Sequence, residues 1–170
     1  MSYDNIMHQW IFDQNKIGIN IMKRHPALQA ISREHHQTLS LSQQIIRAVK
    51  DNNIELMHEL SKKVAIFSEQ DLKPHFKKEE GSFFKVIAQE YPEHQSTADI
   101  YLNEHKQLLE MGSAITSASP QQLEDFAILL KSHTRNEERI LFPLIEKCFS
   151  EEQLVHQLRY IDGYSESESG

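Results

Sequence analysis

The sequence predicts an all-α protein: an up-down-up-down four-helix bundle with an N-terminal extension and a short C-terminal helix. Three observations predict it. Long stretches carry apolar residues at three- and four-residue spacing, and none shows the sustained two-residue alternation of a strand. Gly and Pro number only five each, which suits long helices with few turns. A short word also occurs twice: residues 75–87 read HFKKEEGSFFKVI and residues 133–145 read HTRNEERILFPLI. Both copies hold a His with Glu-Glu four and five places on, then a Phe and an Ile.

The first helix is expected from Pro26, a residue suited to the first turn, to Lys50. Leu28, Ile31, His35, Leu39, Ser42, Ile46 and Val49 share its apolar side, and Asp51-Asn52-Asn53 breaks it. The second runs from Ile54 to Gln89, with Leu60, Val64, Phe67, Leu72, His75, Glu79, Phe83 and Ile87 inward. Pro74 interrupts it just before the repeated word, and Tyr91-Pro92 ends it. The third spans Thr97 to Ser117, with Ile100, Tyr101, Leu102, His105, Leu108, Leu109 and Ile115 on its apolar side. Ser119 is the expected N-cap of the fourth and Pro120 its first residue. The fourth runs to Phe149 with Leu123, Phe126, Leu130, His133, Glu137, Leu141 and Ile145 inward.

A fifth, shorter helix is expected over Glu151 to Ile161. The domain organisation expected is an extension at 1–24, a bundle at 25–162 and a disordered polar tail at 163–170. Trp10, Ile11, Phe12, Ile17, Ile19 and Ile21 give the extension enough apolar surface to lie against the bundle.

Composition narrows the function classes. The net charge is −7 with His neutral, so neither nucleic acid nor an anionic membrane is an expected partner. No apolar run reaches transmembrane length, and the first residues lack a signal-peptide layout. A cytoplasmic protein is expected, as a monomer or weak homo-oligomer. The single cysteine, Cys148, excludes an internal disulfide and thiolate-rich metal sites on this chain alone.

Ten histidines carry most of the chemical information. Residues four apart on a helix share a face, so His75 and Glu79 reach one neighbourhood, and so do His133 and Glu137. The first and third helices each add an inward His preceded by Glu, in Glu34-His35 and Glu104-His105. The expected metal set is therefore His35, His75, Glu79, His105, His133 and Glu137. Four imidazoles and two carboxylates suit a two-metal centre in which each carboxylate spans both ions. Imidazole with carboxylate fits iron, manganese or zinc.

His35, with Ile31 and Leu39 one turn away, is favoured over His36, which has Ser32 and Ser40. His8, His58, His94 and His156 are read as ordinary surface or core residues. Glu80 and Glu138 are read as solvent-facing or as partners of the ligands. A single i,i+4 His/Glu pair often only decorates a solvated face. Two pairs in a repeated apolar frame would be costly to bury without an ion.

In Glu34-His35, His75-x-x-x-Glu79, Glu104-His105 and His133-x-x-x-Glu137, followed by Leu141-Phe142-Pro143, the chain resembles the hemerythrin-like (HHE cation-binding) family. The resemblance covers about residues 25–149, and the segment RHPALQAISREHH is similar to a bacterial branch. It implies a four-helix bundle with two iron ions in a non-haem di-iron centre. It also implies a small-molecule ligand such as dioxygen, nitric oxide or peroxide, bound or sensed; a di-iron redox enzyme and an iron donor in iron–sulfur cluster repair are the alternatives.

The chain departs from the oxygen carriers of that family at two places. Tyr101 stands where they have a second histidine on the third helix, and Glu137 lies four residues after the last histidine where they have an Asp at five. The missing imidazole weighs against reversible oxygen carriage and leaves Tyr101 to pack, to donate a hydrogen bond or to bind metal. A ferritin-like centre would need paired Glu-x-x-His motifs, and Glu55-x-x-His58 has no second copy. A metal-free helical interaction module is the remaining alternative.

Overall fold

The computed structural model describes residues 24–115 and 119–167. The expected packing of the N-terminal extension and the end of the tail lie outside the described residues. Those described are helical or in short connections, with no strand among them. No described helix is long and apolar enough to cross a membrane.

Helix α1 is Pro26–Lys50, started by His25, whose Nδ1 accepts from the Ala27 amide at 3.1 Å. It ends in a turn where Asn52 takes a φ of 49°, a left-handed conformation that Asn tolerates better than most residues. Helix α2 covers residues 54–90 and is not regular. Segments Ile54–Phe67, Lys73–Glu79 and Lys85–Glu90 are α-helical, joined by π-helical turns at Ser68–Leu72 and Glu80–Phe84. A 3₁₀ turn, Pro92–His94, leads to α3, Gln95–Ala114.

Helix α4 covers residues 120–148: Pro120–Asn136, a π turn at Glu137–Leu141, then Phe142–Cys148. Its start is a capping box. Ser119 Oγ accepts from the Gln122 amide at 3.2 Å, and Gln122 Oε1 accepts from the Ser119 amide at 3.0 Å. Helix α5 is Glu151–Ser167.

The interruption expected at Pro74 is a π turn. Proline lacks an N–H and its ring collides with the carbonyl four residues back. For Pro74 and Pro143 those carbonyls belong to Gln70 and Arg139, and both lie inside π turns. The wider turn accommodates each ring without ending the helix. The five-residue step from Phe67 to Leu72, both buried, is the same event seen as side-chain register.

Three expectations need correction. Ile100 is 60% exposed rather than inward, because Ala98, Tyr101 and His105 set the buried side of α3 and Ile100 lies off it. On α1 the buried line after His35 is Thr38, Leu41, Ser42, Ile45 and Ala48; Leu39, Ile46 and Val49 flank it half-buried. Helix α5 continues past Ile161 to Ser167. Gly163 does not stop it, since the helix holds Leu154 and Ile161 in the core and Gly163 faces open space.

The core falls into two apolar clusters. One joins Leu28, Ile31, Phe83, Ile87, Leu141 and Phe142 with residues of α5. The other joins Leu41, Ile45, Leu60, Leu72, Leu108 and Phe126. Between the two, on all four long helices, lie buried polar side chains. Helix α3 also approaches the first π turn closely. A Cβ on Gly112 of α3 would stand 2.0 Å from Ser68 Oγ, so only glycine lets α3 meet the first π turn this closely.

Candidate metal centre

His35 of α1, His75 and Glu79 of α2, His105 of α3, and His133 and Glu137 of α4 converge in this layer. Each is at most 3% exposed. His36, by contrast, is exposed, as are His58 and His156. The periodicity of each helix explains the convergence: every one of these residues sits in line with apolar neighbours one turn away.

The ring atoms and carboxylate oxygens form two sets. His35, His75, Glu79 and Glu137 make one; His105, His133, Glu79 and Glu137 make the other; within each, the offered atoms all lie within 4.8 Å of one another. The carboxylates divide between the sets oxygen by oxygen. Glu79 Oε1 is 3.6 Å from His75 Nε2 and 3.9 Å from His35 Nε2, while its Oε2 is 3.4 Å from His105 Nε2. Glu137 Oε2 is 3.3 Å from His35 Nε2, while its Oε1 is 3.0 Å from His133 Nε2 and 3.7 Å from His105 Nε2.

Although these atoms face one another at 3.0–3.9 Å, they make no hydrogen bond of good geometry. The Nε2 atoms of His35, His105 and His133 and all four oxygens of Glu79 and Glu137 are buried and unsatisfied. Leaving such groups unmet is expensive. Their chemistry, borderline nitrogen and hard oxygen donors facing one another in two sets, fits divalent or trivalent first-row metals.

The opposite ring nitrogens are fully used. His75 Nδ1 donates to Glu34 at 2.8 Å, His105 Nδ1 to Glu80 at 2.8 Å, His133 Nδ1 to Glu104 at 2.7 Å, and His35 Nδ1 to Glu138 at 2.7 Å. The pattern is a closed ring. Each helix lends a carboxylate to the imidazole of the next, and α4 returns to α1. A proton on Nδ1 leaves Nε2 as the free lone pair, aimed inward, which is how metal-bound imidazoles are oriented.

From periodicity alone Glu80 and Glu138 are solvent-facing residues or partners of the ligands, and Glu34 and Glu104 have no role of their own. A signal was present: four glutamates each stand one residue from an inward group, in Glu34-His35, Glu79-Glu80, Glu104-His105 and Glu137-Glu138. One residue of offset turns the side chain toward the neighbouring helix rather than outward.

Aromatic rings enclose the layer. Phe76 stacks on His105 with centroids 3.8 Å apart, Phe142 stacks on His35 at 5.6 Å, and Phe84 meets His105 edge-on at 5.7 Å. Tyr101 is 4% exposed, meets His133 edge-on at 5.9 Å, and donates its hydroxyl to the Asn136 carbonyl at 3.2 Å. Its phenol is therefore turned to the backbone of α4. A surface cavity of about 210 Å³ adjoins His75 and is lined by Glu34, Thr38, Phe67, Leu72 and Lys78.

Without metal, the layer holds protons instead. Burial pushes His133 down, but Glu137 and Glu104 outweigh it and raise its pKa to about 9. Burial likewise disfavours the charged forms of His75 and His105, and the surrounding carboxylates raise both. Burial alone would raise Glu137; the imidazoles of His133, His105 and His35 pull it well below the usual carboxylate range. Glu34, also opposed by burial, is lowered to about 2 by His75 and Lys78. Burial, with Glu137 and Glu104 nearby, lifts Tyr101 to about 12.

Fold and site define a protein whose described residues form a helical bundle with buried His/Glu groups that could hold metal cations. Residues 27–145 match the family model of the hemerythrin HHE cation binding domain. The chain belongs to that family, as the sequence resemblance implied. Comparisons with curated proteins and with solved structures return no match.

Proposed function

We propose that this is a non-haem di-iron protein that binds or senses a small oxidant such as dioxygen, nitric oxide or peroxide. In this proposal His35 and His75 are terminal ligands of one iron, His105 and His133 of the other, and Glu79 and Glu137 bridge the two. The observation that carries it is the division of the carboxylates, with one oxygen of each toward the first His pair and the other toward the second.

The helices are proposed to run up-down-up-down. In support, α1 and α3 pass from residues of the first apolar cluster to residues of the second, through Ile31, His35, Leu41 and through Tyr101, His105, Leu108. Helices α2 and α4 pass the other way, through Phe76, Glu79, Phe83 and through Leu130, His133, Leu141. We also propose a cytoplasmic setting, which a fold with a single cysteine and no need of an internal disulfide suits.

Two nitrogens and two carboxylate oxygens per metal leave coordination positions for a ligand, and bound iron would supply them together with its redox electrons. The residues of this chain do the rest. Glu34, Glu80, Glu104 and Glu138 hold the Nδ1 protons and aim the imidazoles. Phe76, Phe84 and Phe142 exclude water.

The test is metal analysis of protein produced in iron-rich medium, with an ultraviolet-visible spectrum recorded with and without azide. Two irons per chain and an azide-dependent spectrum are expected; protein free of metal would overturn the proposal. A redox enzyme is the second reading, favoured by Tyr101 in a position where an oxygen carrier has a further imidazole. It predicts steady-state consumption of peroxide or nitric oxide beyond one equivalent. Metal release to an apo iron–sulfur acceptor would instead identify an iron donor.

A further inference from the structure

The four carboxylates that orient the imidazoles follow the sequence repeat, but the cations beside them do not. Glu34 accepts from His75 through Oε2 and from Lys78 Nζ at 2.7 Å through Oε1. Glu138 accepts from His35 through Oε1 and pairs with Arg24 through Oε2. Arg24 is fixed there, since its Nη2 also donates to the Glu138 carbonyl at 2.9 Å and its guanidinium lies 5.2 Å from the Phe142 ring centre. Lys78 is buried, with 9% of its surface exposed.

Among the described residues no Lys or Arg forms an ion pair with Glu80 or Glu104. The repeat shows why. Lys78 stands three residues after His75, and the residue three after His133 is Asn136. Arg24 stands eleven residues before His35, and the residue eleven before His105 is His94, which contacts Cys148 instead. Both cations therefore serve the His35/His75 set, and neither serves the His105/His133 set.

A carboxylate that accepts from a metal-bound imidazole makes that imidazole a stronger donor. A cation sharing the carboxylate withdraws part of that charge, and its own field opposes further positive charge nearby in a low-dielectric site. Both effects disfavour a trivalent ion and act more strongly on the nearer set, that of His35 and His75. We propose that Arg24 and Lys78 make the two metal positions electrically unequal, so that the position on His35 and His75 accepts the first electron and the position on His105 and His133 stays oxidised longer. The more reducible position is also the one beside the cavity at Glu34, Thr38 and His75. This rests on the di-iron proposal above.

The experiment is stepwise reduction of the iron-loaded protein by an electrode through mediators, one electron per metal from trivalent to divalent, followed optically and by paramagnetic resonance of the half-reduced state. Lys78→Met is expected to lower the first, higher potential by roughly tenfold in its reduction equilibrium, about 59 mV for a one-electron step, with a smaller change in the second. Arg24→Met is expected to act in the same direction, and Lys78→Arg to keep the native value. Glu104→Gln is expected to raise the second, lower potential.

Two independent cation variants guard against one that fails to fold. Unchanged potentials in both folded variants, or equal shifts of both steps, would overturn the inference while leaving two bound irons intact. Native protein without metal would instead overturn the di-iron proposal itself.

Discussion

Tyr101 donates its hydroxyl to the backbone carbonyl of Asn136, the residue immediately before Glu137. Helix α3 thus holds the backbone of α4 where the π turn Glu137–Leu141 begins. With a pKa of about 12, raised by burial and by Glu137 and Glu104, the phenol keeps its proton at physiological pH. Tyr101→Phe is expected to lower stability by about 1 kcal/mol, the worth of one hydrogen bond, in denaturant unfolding. Metal content should not change. Iron-loaded protein should show no phenolate-to-iron absorption band that this substitution removes; such a band would mean that Tyr101 is a ligand.

The two acidic neighbours in Glu137-Glu138 should behave differently. Glu137→Ala removes both oxygens that face the histidines, so purified protein is expected to hold fewer than two metal ions per chain. Glu138→Gln keeps every inward donor and weakens the hold on His35 together with the ion pair to Arg24. It should retain two ions but lose them to a competing chelator at roughly 10–100-fold lower chelator strength. Equal loss of metal in the two variants would count against the division between ligand and orienting residue.

Stability of the metal-free protein should depend on pH from both sides. His133 is raised from 6.5 to about 9, so its contribution is complete below 6.5 and lost as pH climbs through 9. For His133 this is on the order of 3 kcal/mol, and His75 and His105 act in the same direction. Glu137 and Glu34 are lowered from 4.5, Glu34 to about 2. Their contributions are present above 4.5 and lost as pH falls toward 2. Chemical denaturation across pH should therefore show greatest stability between 4.5 and 6.5. Metal binding at pH 7 should release protons, measurable as a buffer-dependent heat.

Gly112 should not tolerate a side chain. Its added Cβ would meet Ser68 Oγ at 2.0 Å and Ser68 Cβ at 2.7 Å. Gly112→Ala is expected to cost about 1–3 kcal/mol as an overpacked contact. Ser68→Gly should recover part of that loss in a double-mutant cycle. Additive effects would show that α3 and the π turn do not meet as closely as described.

The convergence of the inward residues was legible in the sequence because it depends on helical periodicity alone. His35 could be separated from His36 by its neighbours one turn away, and the spacing of His75 to Glu79 repeats in His133 to Glu137. The π turns were not legible. They arise where the i−4 carbonyl of Pro74 or Pro143 must be displaced, and at Glu80–Phe84, where no proline is present and Gly81 meets the Tyr160 side chain. The contacts of Glu34, Glu80, Glu104 and Glu138 were hidden for another reason. Each crosses to a neighbouring helix, and one-helix periodicity cannot say which partner a residue beside the buried stripe will find.

The ring of glutamate-to-histidine bonds has a consequence for the order in which the centre can be built. Helices α1 and α2 carry His35 and His75 but borrow the carboxylate for His35 from Glu138 of α4. Helices α3 and α4 carry His105 and His133 but borrow the carboxylate for His105 from Glu80 of α2. Neither helix pair alone holds a finished set, although the sequence repeat suggests two self-sufficient units. A chain still emerging from synthesis therefore offers no complete set of donors until its last long helix has docked.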